Sequence, residues 1–308
     1  MNSDMKDLVL PTFYIIGAAK SGTTSLHYLL KQHAEIFMPA HKEPHFFGND
    51  DRYKRGMAWY SATFYRDAAK YRIRGDASPS YLEQAITVAP RIKENYQNGQ
   101  VRFIAIFRHP VQRAYSAYWH RRRNSEELPS FEQAIGNPAE RRPERGSPSE
   151  KDGISHNLGL VSGSMYATNL RPFLALFPRE NFFFLLQEDL ARDLQASMRK
   201  LFLFLGADPD FEVVPESRNT ASLPRFEGVQ KFLLSPSGPF HKLLKPITHE
   251  MAVPTRRKVR RFMFKFNLRP FSYPPMEPET EKELRQFFSD EIKELETIMG
   301  RDLSAWYE

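Results

Sequence analysis

The sequence predicts an α/β fold in which a central parallel sheet is flanked by helices in three layers. Three short apolar runs have the length and the aromatic or β-branched composition of buried strands. Each run leads into a stretch whose apolar residues have helical spacing, and this alternation is typical of parallel βαβ units. Such folds bind ligands at the carboxyl ends of their strands, so the residues that follow each run are candidates for function.

The predicted elements are distributed along the whole chain. Strands are predicted over residues 13–16, 72–76, 101–107 and 181–186, and helices over residues 24–32, 111–123, 194–205 and 277–299. Gly206 follows the third helix in the position of a C-cap. The last helix has an apolar stripe, so we expect it to pack on the core. No internal repeat occurs, and the sequence predicts a single domain over residues 1–308.

The composition excludes several classes of protein. The chain has no cysteine, which excludes disulfide scaffolds, cysteine nucleophiles, cysteine-held iron–sulfur clusters and thiolate zinc sites. The chain has 44 Lys and Arg residues against 37 Asp and Glu residues, and this positive surplus favours anionic ligands. Neither a signal peptide nor a run of about 18 apolar residues is found, which predicts a cytoplasmic protein without an integral membrane segment.

Two segments lack the pattern of helices or strands. Residues 136–157 combine prolines, glycines and charges with almost no apolar side chains, which predicts a mobile loop that is either disordered or an active-site lid. Residues 235–275 are also irregular and contain a basic cluster from Arg256 to Arg261. With the phenylalanines that follow it, this cluster leaves a peripheral membrane contact open, although a solvated face explains the same residues.

A phosphate-binding loop is predicted between the first strand and the first helix. Its sequence is Gly17-Ala18-Ala19-Lys20-Ser21-Gly22-Thr23-Thr24-Ser25, and its two glycines have the spacing of a P-loop. Small residues allow backbone N–H groups to surround an anion, and the helix N-terminus adds its positive dipole. Lys20 lies inside the loop, where its ammonium group could reach the same anion. The predicted fold is therefore P-loop-like.

A P-loop kinase or NTPase is one class of enzyme that such a loop could indicate. Such enzymes have Gly-Lys-Ser/Thr at the end of the loop and hold Mg²⁺ through a carboxylate near the end of a neighbouring strand. Here two threonines follow Gly22, and Arg108 rather than an acid follows the strand over residues 101–107. The loop is therefore predicted to bind an anion without a metal ion.

Arg108 and Ser116 predict a second anion site at the same edge of the sheet. Arg108 follows a strand, and Ser116 lies eight residues later on the next helix. An arginine binds a phosphate through parallel hydrogen bonds, and a serine binds it through its hydroxyl. Both side chains could converge on a second phosphate.

At these two sites the sequence resembles the sulfotransferases that depend on PAPS, 3′-phosphoadenosine 5′-phosphosulfate. Residues 20–24 resemble their 5′-phosphosulfate loop, and residues 108–118 resemble their 3′-phosphate motif. Further segments resemble the branch that contains bacterial sulfotransferases and the heparan sulfate N- and 3-O-sulfotransferases; they are residues 42–47, 76–81, 166–168 and 300–303.

The resemblance implies transfer of a sulfuryl group from PAPS to a hydroxyl or amine, without a metal ion. The residues implied to bind the 5′-phosphosulfate are Lys20, Ser21, Gly22, Thr23, Thr24 and Ser25, and those implied to bind the 3′-phosphate are Arg108 and Ser116. Lys20 would also neutralise the leaving oxygen. The expected acceptor is a glycan or a small molecule, no nucleic acid partner is expected, and the oligomeric state stays open.

The resemblance to the glycan branch implies that Glu43 is the base that removes the proton of the acceptor. His45 is the second candidate because the cytosolic branch uses a histidine, and His41 also flanks Glu43. The apolar residues near Glu43 predict a raised pKa for its carboxyl group. The alternative is a surface ion pair between Glu43 and Lys42 or Lys20.

The late part of the chain departs from the glycan branch. Those enzymes have a Lys-Gly-Arg loop that closes over the nucleotide, and residues 267–271 have no such motif. Arg269 or the cluster from Arg256 to Arg261 could serve instead. The same cluster supports a non-enzymatic alternative, a basic module that binds nucleic acid or a membrane surface.

Overall fold

The computed structural model describes residues 8–96, 101–124, 128–136, 159–215, 222–226 and 266–307. Five strands form the central sheet: β1 (Phe13–Gly17), β2 (Ile36–Phe37), β3 (Ile73–Ala77), β4 (Arg102–Phe107) and β5 (Phe182–Leu186). Their order is β2-β3-β1-β4-β5, and all neighbouring pairs are parallel. Two short strands, β6 (Ser222–Pro224) and β7 (Leu268–Pro270), form a separate antiparallel pair.

The helices alternate with the strands. In the described ranges they are α1 (Thr23–Gln32), α2 (Asp50–Tyr53), α3 (Gly56–Phe64), α4 (Ala85–Asn95), α5 (Pro110–Arg123), α6 (Phe131–Ile135), α7 (Tyr166–Leu174), α8 (Gln187–Arg192), α9 (Leu194–Leu205) and α10 (Pro278–Met299). The α/β class predicted from the alternation of strands and helices is confirmed.

The two faces of the sheet pack against different sets of helices. In β1, Tyr14 and Ile16 belong to one hydrophobic cluster, whereas Phe13 and Ile15 belong to the other. This separation follows from the alternation of side chains along a strand. Apolar residues of α4, α5, α7 and α10 complete the first cluster, and those of α1 and α9 complete the second. The fold therefore has the predicted three layers.

Most predicted elements are present with shifts of one residue at their ends, and α9 ends at Gly206, which has a left-handed φ of 72°. Several further helices were not predicted from the sequence. Two of them, α4 and α7, each contain an internal proline, Pro90 and Pro172. Proline disrupts the backbone hydrogen bonding of a helix and is usually a sign that one ends. Burial of the apolar faces of α4 and α7 outweighs that local cost.

The order of the strands fixes the place of the candidate site. The chain passes from β1 to β2 and β3 on one side, and it then crosses to β4 and β5 on the other. The crevice at such a switch point lies at the carboxyl ends of β1 and β4. The loop at Lys20 follows β1 and Arg108 follows β4, so the topology brings the two predicted anion sites together. Residues 137–157 of the predicted loop lie outside the described residues.

Candidate active site

The loop between β1 and α1 has the conformation that an anion-binding loop requires. Lys20 and Gly22 have left-handed backbones with φ values of 73° and 102°. Gly22 is the N-cap of α1, whose first turn contains no acidic residue and whose N-terminus receives no side-chain cap. The free N–H groups and the dipole of α1 are thus available to an anion.

A cavity of about 670 Å³ opens over this loop. Of the predicted loop residues, Lys20, Gly22, Thr23, Thr24 and Ser25 line the cavity, and Ser21 is fully buried beneath it. Arg108 and Ser116 line the same cavity. Its volume is within the usual range for a small-molecule site. The structure therefore brings both predicted anion-binding elements to one cavity.

The cavity is strongly cationic. Its basic lining residues are Lys20, Lys42, Arg108, Arg113, Arg121 and Arg123, and its carboxylates are Glu43 and Glu83. Burial and, to a smaller extent, the nearby charges of Arg123 and Arg108 together lower the pKa of Lys20 to about 8. An anion bound beside Lys20 would relieve this repulsion, so the electrostatics favour an anionic ligand.

Arg113 connects α5 to the loop. Its side chain is buried, and its guanidinium donates to the carbonyl oxygens of Ala19 at 3.0 Å, Gly159 at 2.5 Å and Leu160 at 3.1 Å. Arg113 was not predicted from the sequence. The feature that could have indicated it is the helical spacing along α5. One face of this helix presents four residues that all line the cavity: Arg113, Ser116, His120 and Arg123.

Glu43 and His45 lie opposite the loop on the segment between β2 and α2. Both residues have left-handed backbones, with φ values of 65° and 48°. Three non-glycine residues in the described chain have positive φ, and they are Lys20, Glu43 and His45. Non-glycine residues adopt this conformation rarely, and such strain clusters at functional sites. The sequence-based selection of these three residues therefore coincides with the strained positions of the backbone.

The hydrogen bonds of His45 fix its tautomer. His45 Nε2 lies 3.2 Å from Oε2 of Glu43, and a carboxylate can only accept, so Nε2 carries a proton and donates it. Its Nδ1 lies 2.9 Å from the hydroxyl oxygen of Ser80. In the neutral ring, Nδ1 accepts from Ser80. With both nitrogens occupied, His45 is placed to orient Glu43, which favours Glu43 over His45 as the base.

The predicted rise in the pKa of Glu43 is wrong. Burial does raise the pKa of this carboxyl group, but the hydrogen bond from His45 and the ammonium of Lys42 outweigh it and lower the pKa to about 2. Lys42 Nζ contacts Oε1 directly. The apolar residues Phe46 and Phe47 are themselves fully buried in the core. The ion pair that the sequence left as an alternative thus exists with Lys42, and it keeps Glu43 ionised inside the cavity.

His120 is a cavity residue that the sequence analysis missed. Its Nδ1 lies 2.9 Å from Nη2 of Arg123, and a guanidinium only donates, so Nδ1 accepts. Burial lowers the pKa of His120 to about 3, and the charges of Lys20 and Arg123 act in the same direction. The ring is therefore neutral with its proton on Nε2, which makes it a hydrogen-bond donor in the lining of the cavity.

The late part of the chain reaches the cavity through Tyr273 rather than through Arg269. The ring of Tyr273 stacks on Trp119 with centroids 5.7 Å apart, and both residues line the cavity. Arg269 lies in β7 with an exposed side chain and is not among the described lining residues. The basic cluster from Arg256 to Arg261 lies outside the described residues.

In the described ranges, the His, Asp and Glu side chains form no group of three that could hold a metal ion. No helix in these ranges combines the length and the hydrophobicity that a membrane crossing requires.

Comparison with known proteins identifies a common family. Residues 10–232 match the family model described as a sulfotransferase domain. A solved structure of a sulfotransferase from Alicyclobacillus acidocaldarius superposes with a TM-score of 0.65 and 27% sequence identity, covering 98% of this chain and all of the other.

Three curated relatives are also named as sulfotransferases. The membrane-associated sulfotransferase kil1 of Dictyostelium discoideum is 36% identical over 143 residues, which are 44% of this chain and 29% of that protein. Mouse heparan sulfate glucosamine 3-O-sulfotransferase 3B1 is 30% identical over 204 residues, which are 64% of this chain and 46% of the relative. The human bifunctional heparan sulfate N-deacetylase/N-sulfotransferase 2 is 28% identical over 213 residues, 65% of this chain and 22% of the relative. The chain spans less than half the length of each relative.

Proposed function

The chain belongs to the sulfotransferase family, and we propose that it transfers the sulfuryl group of PAPS to a hydroxyl or amine of an acceptor by in-line displacement. One observation carries the proposal. The loop at Lys20 and the pair Arg108 and Ser116 line one cavity together with the ionised carboxylate of Glu43. The family match favours this activity over the kinase or NTPase alternative.

The two anion-binding elements suit the two ends of PAPS. This donor has a phosphosulfate at its 5′ position and a phosphate at its 3′ position. We assign the phosphosulfate to Lys20 and the N-terminus of α1, and the 3′-phosphate to Arg108 and Ser116. The cationic lining of the cavity supports the same donor because it offsets the charge of both groups.

The proposed reaction assigns a role to each side of the cavity. The acceptor oxygen or nitrogen forms a bond to sulfur while the bond between sulfur and the 5′-phosphate oxygen breaks. Glu43 takes the proton of the acceptor. Lys20 stabilises the negative charge that develops on the departing phosphate, and the nucleotide product is the 3′,5′-bisphosphate PAP.

Lys42 and His45 hold the carboxylate that acts as base. Lys42 contacts one oxygen of Glu43, and His45 donates to the other. These contacts keep Glu43 deprotonated and fix its orientation, so the carboxylate is ready for an acceptor at neutral pH. The low pKa makes it a weak base at rest. An acceptor that weakens the contact with Lys42 would make it a stronger one.

For the acceptor we propose a glycan hydroxyl or amine. The support comes from two relatives, one named as a heparan sulfate glucosamine 3-O-sulfotransferase and the other as a bifunctional heparan sulfate N-deacetylase/N-sulfotransferase. A small-molecule acceptor is the second candidate. Metal independence and a cytoplasmic location remain predictions from the sequence.

An acceptor screen with ³⁵S-labelled PAPS tests the proposal. The full chain is incubated with heparan sulfate, N-desulfated heparan sulfate, lipid extracts and simple phenols, in buffer with EDTA. We expect the label to move to one acceptor class with formation of PAP, and Lys20→Ala to abolish the transfer. Absence of transfer to every class together with Mg²⁺-dependent ATP hydrolysis would contradict the proposal.

A further inference from the structure

We propose that Asp76 and Ser78 are positioning residues that hold His45, and through it Glu43, in the geometry needed to remove the proton of the acceptor. The inference rests on the proposed function, because it concerns the base of that reaction. Neither residue lines the cavity in the described part of the chain. Both act from beneath it, at the carboxyl end of β3 and just beyond.

Asp76 is a carboxyl group buried completely at the end of β3. Hydroxyl groups surround it: Tyr60 donates at 2.5 Å, Ser78 at 2.7 Å and Tyr81 at 3.4 Å. Burial raises the pKa of Asp76 to about 6. Burying a carboxyl group is costly, and apolar residues of similar size usually stabilise a core as well or better. We therefore attribute to the carboxyl group of Asp76 a role other than packing.

Ser78 connects Asp76 to the segment that contains Glu43 and His45. Its hydroxyl donates to Oδ1 of Asp76 and accepts from the backbone N–H of His45 at 3.0 Å. A serine hydroxyl has one proton to give and lone pairs to accept, so the two bonds fix its rotation. Because the hydroxyl proton of Ser78 points to Asp76, a lone pair of its oxygen is directed at the backbone N–H of His45.

The bond to His45 falls where the backbone is strained. His45 has a φ of 48°, and Glu43, two residues earlier, has a φ of 65°. A left-handed conformation is unfavourable for a non-glycine residue, so contacts must hold it. The hydrogen bond that the backbone N–H of His45 donates to Ser78 and the hydrogen bond between the side chains of His45 and Ser80 are two such contacts. Loss of the Ser78 bond would let the segment relax and turn the His45 ring away from Glu43.

Ser78→Ala tests the role with a small change. We expect kcat for ³⁵S transfer to heparan sulfate, or to the acceptor found in the screen, to fall about tenfold or more, because catalysis depends on placement to within about an ångström. The Kd for PAP should stay within about twofold, since neither anion-binding element is touched. Asp76→Asn keeps an oxygen that can accept from Ser78, so it should retain most of kcat.

Ser61→Ala is the matched control. Ser61 is also buried, and its hydroxyl also accepts a backbone N–H, from Val9 at 3.1 Å, but it is not a lining residue of the cavity. It should lower the melting temperature without lowering kcat. A double-mutant cycle distinguishes an effect on the base from a general loss of stability. In a Glu43→Gln background, Ser78→Ala should lower kcat by less than about twofold, since both changes disable the same base.

The nitrogen resonances of His45 in the ¹⁵N-labelled chain supply a measurement that needs no acceptor. In the wild type they should report a proton on Nε2, and Ser78→Ala should shift them while Ser61→Ala leaves them unchanged. Unchanged His45 resonances and unchanged kcat in folded Ser78→Ala would overturn the positioning role. A wild-type chain that neither binds PAP nor transfers sulfate would instead overturn the proposed function.

Discussion

The guanidinium of Arg113 donates to the backbone carbonyl of Ala19 at 3.0 Å, which joins α5 to the loop that follows β1. The same side chain donates to Gly159 and Leu160. Because Ser116 is on α5 and Lys20 is next to Ala19, this side chain helps to fix the separation of the two anion-binding elements. A nucleotide with phosphates at both ends requires that separation to be fixed.

Arg113→Lys should therefore damage both stability and nucleotide binding. A lysine cannot reach three carbonyl groups in different directions, and buried acceptors without donors cost about 1–3 kcal/mol each. We expect a loss of unfolding free energy on the order of 3 kcal/mol in urea denaturation, and weaker binding of PAP by calorimetry. Arg192→Ala is the control, because that arginine is exposed and pairs with Asp189 at the surface. Equal effects of the two variants would contradict the role of Arg113.

Glu43→Gln should lower kcat by about 10²-fold or more, since the amide cannot accept a proton. The Kd for PAP should be nearly unchanged, because Glu43 belongs to neither anion-binding element. Initial rates at saturating PAPS, with PAP binding measured in parallel, check both expectations. His45→Ala should lower kcat less, because its ring orients Glu43 and is already committed to donating through Nε2. Near-normal turnover in Glu43→Gln with loss of turnover in His45→Ala would transfer the role of base to the histidine.

Lys42→Met should change how activity depends on pH. Glu43 acts when it is deprotonated, and its lowered pKa means that activity is lost only as the pH falls toward about 2. Removing the ammonium of Lys42 removes one cause of the lowering, so the pKa of Glu43 should rise. The acidic limb of the profile of kcat/KM against pH should then move up by roughly one unit. A limb that stays in place would show that Lys42 does not control the charge of Glu43.

Binding of PAP at pH 8 should take up protons. The free enzyme holds the pKa of Lys20 at about 8, chiefly through burial, so part of the Lys20 population is neutral at this pH. A bound phosphate raises the pKa of Lys20 and completes its protonation, with an uptake of up to about half a proton. Calorimetry in two buffers of different ionisation enthalpy measures the uptake. Lys20→Met should abolish it, and an unchanged uptake in that variant would assign the proton to another group.

The sequence predicted what depends on local pattern. The strand runs, the glycine spacing around Lys20 and the cation after β4 are local features, and the sheet topology then brings Lys20 and Arg108 together without further information. The pKa of Glu43 was not predictable in this way. The pKa is lowered rather than raised because Lys42 and His45 contact the carboxylate, and these contacts accompany the left-handed backbone conformations at Glu43 and His45. The apolar neighbours that suggested a raised pKa point into the core instead.

Long-range contacts account for the residues that were missed. Arg113 owes its role to carbonyl groups at residues 19, 159 and 160, which nothing in the neighbouring sequence indicates. The proposed role of Asp76 likewise depends on the contact of Ser78 with the backbone N–H of His45, which is distant from it in the sequence. The shared face of α5 was readable as a helical pattern, but arginines on a helix are usually solvated, and only the cavity distinguishes these.

Calorimetric titration of the full chain with PAP in the presence of EDTA measures whether one cavity holds both phosphates of the nucleotide. We expect PAP to bind without a metal ion and more tightly than ATP does with Mg²⁺. We also expect Arg108→Ala to weaken PAP binding by about 2–5 kcal/mol, the cost of removing one partner of a buried charge pair. Tighter binding of ATP with Mg²⁺ that EDTA abolishes, with no binding of PAP, would contradict these expectations.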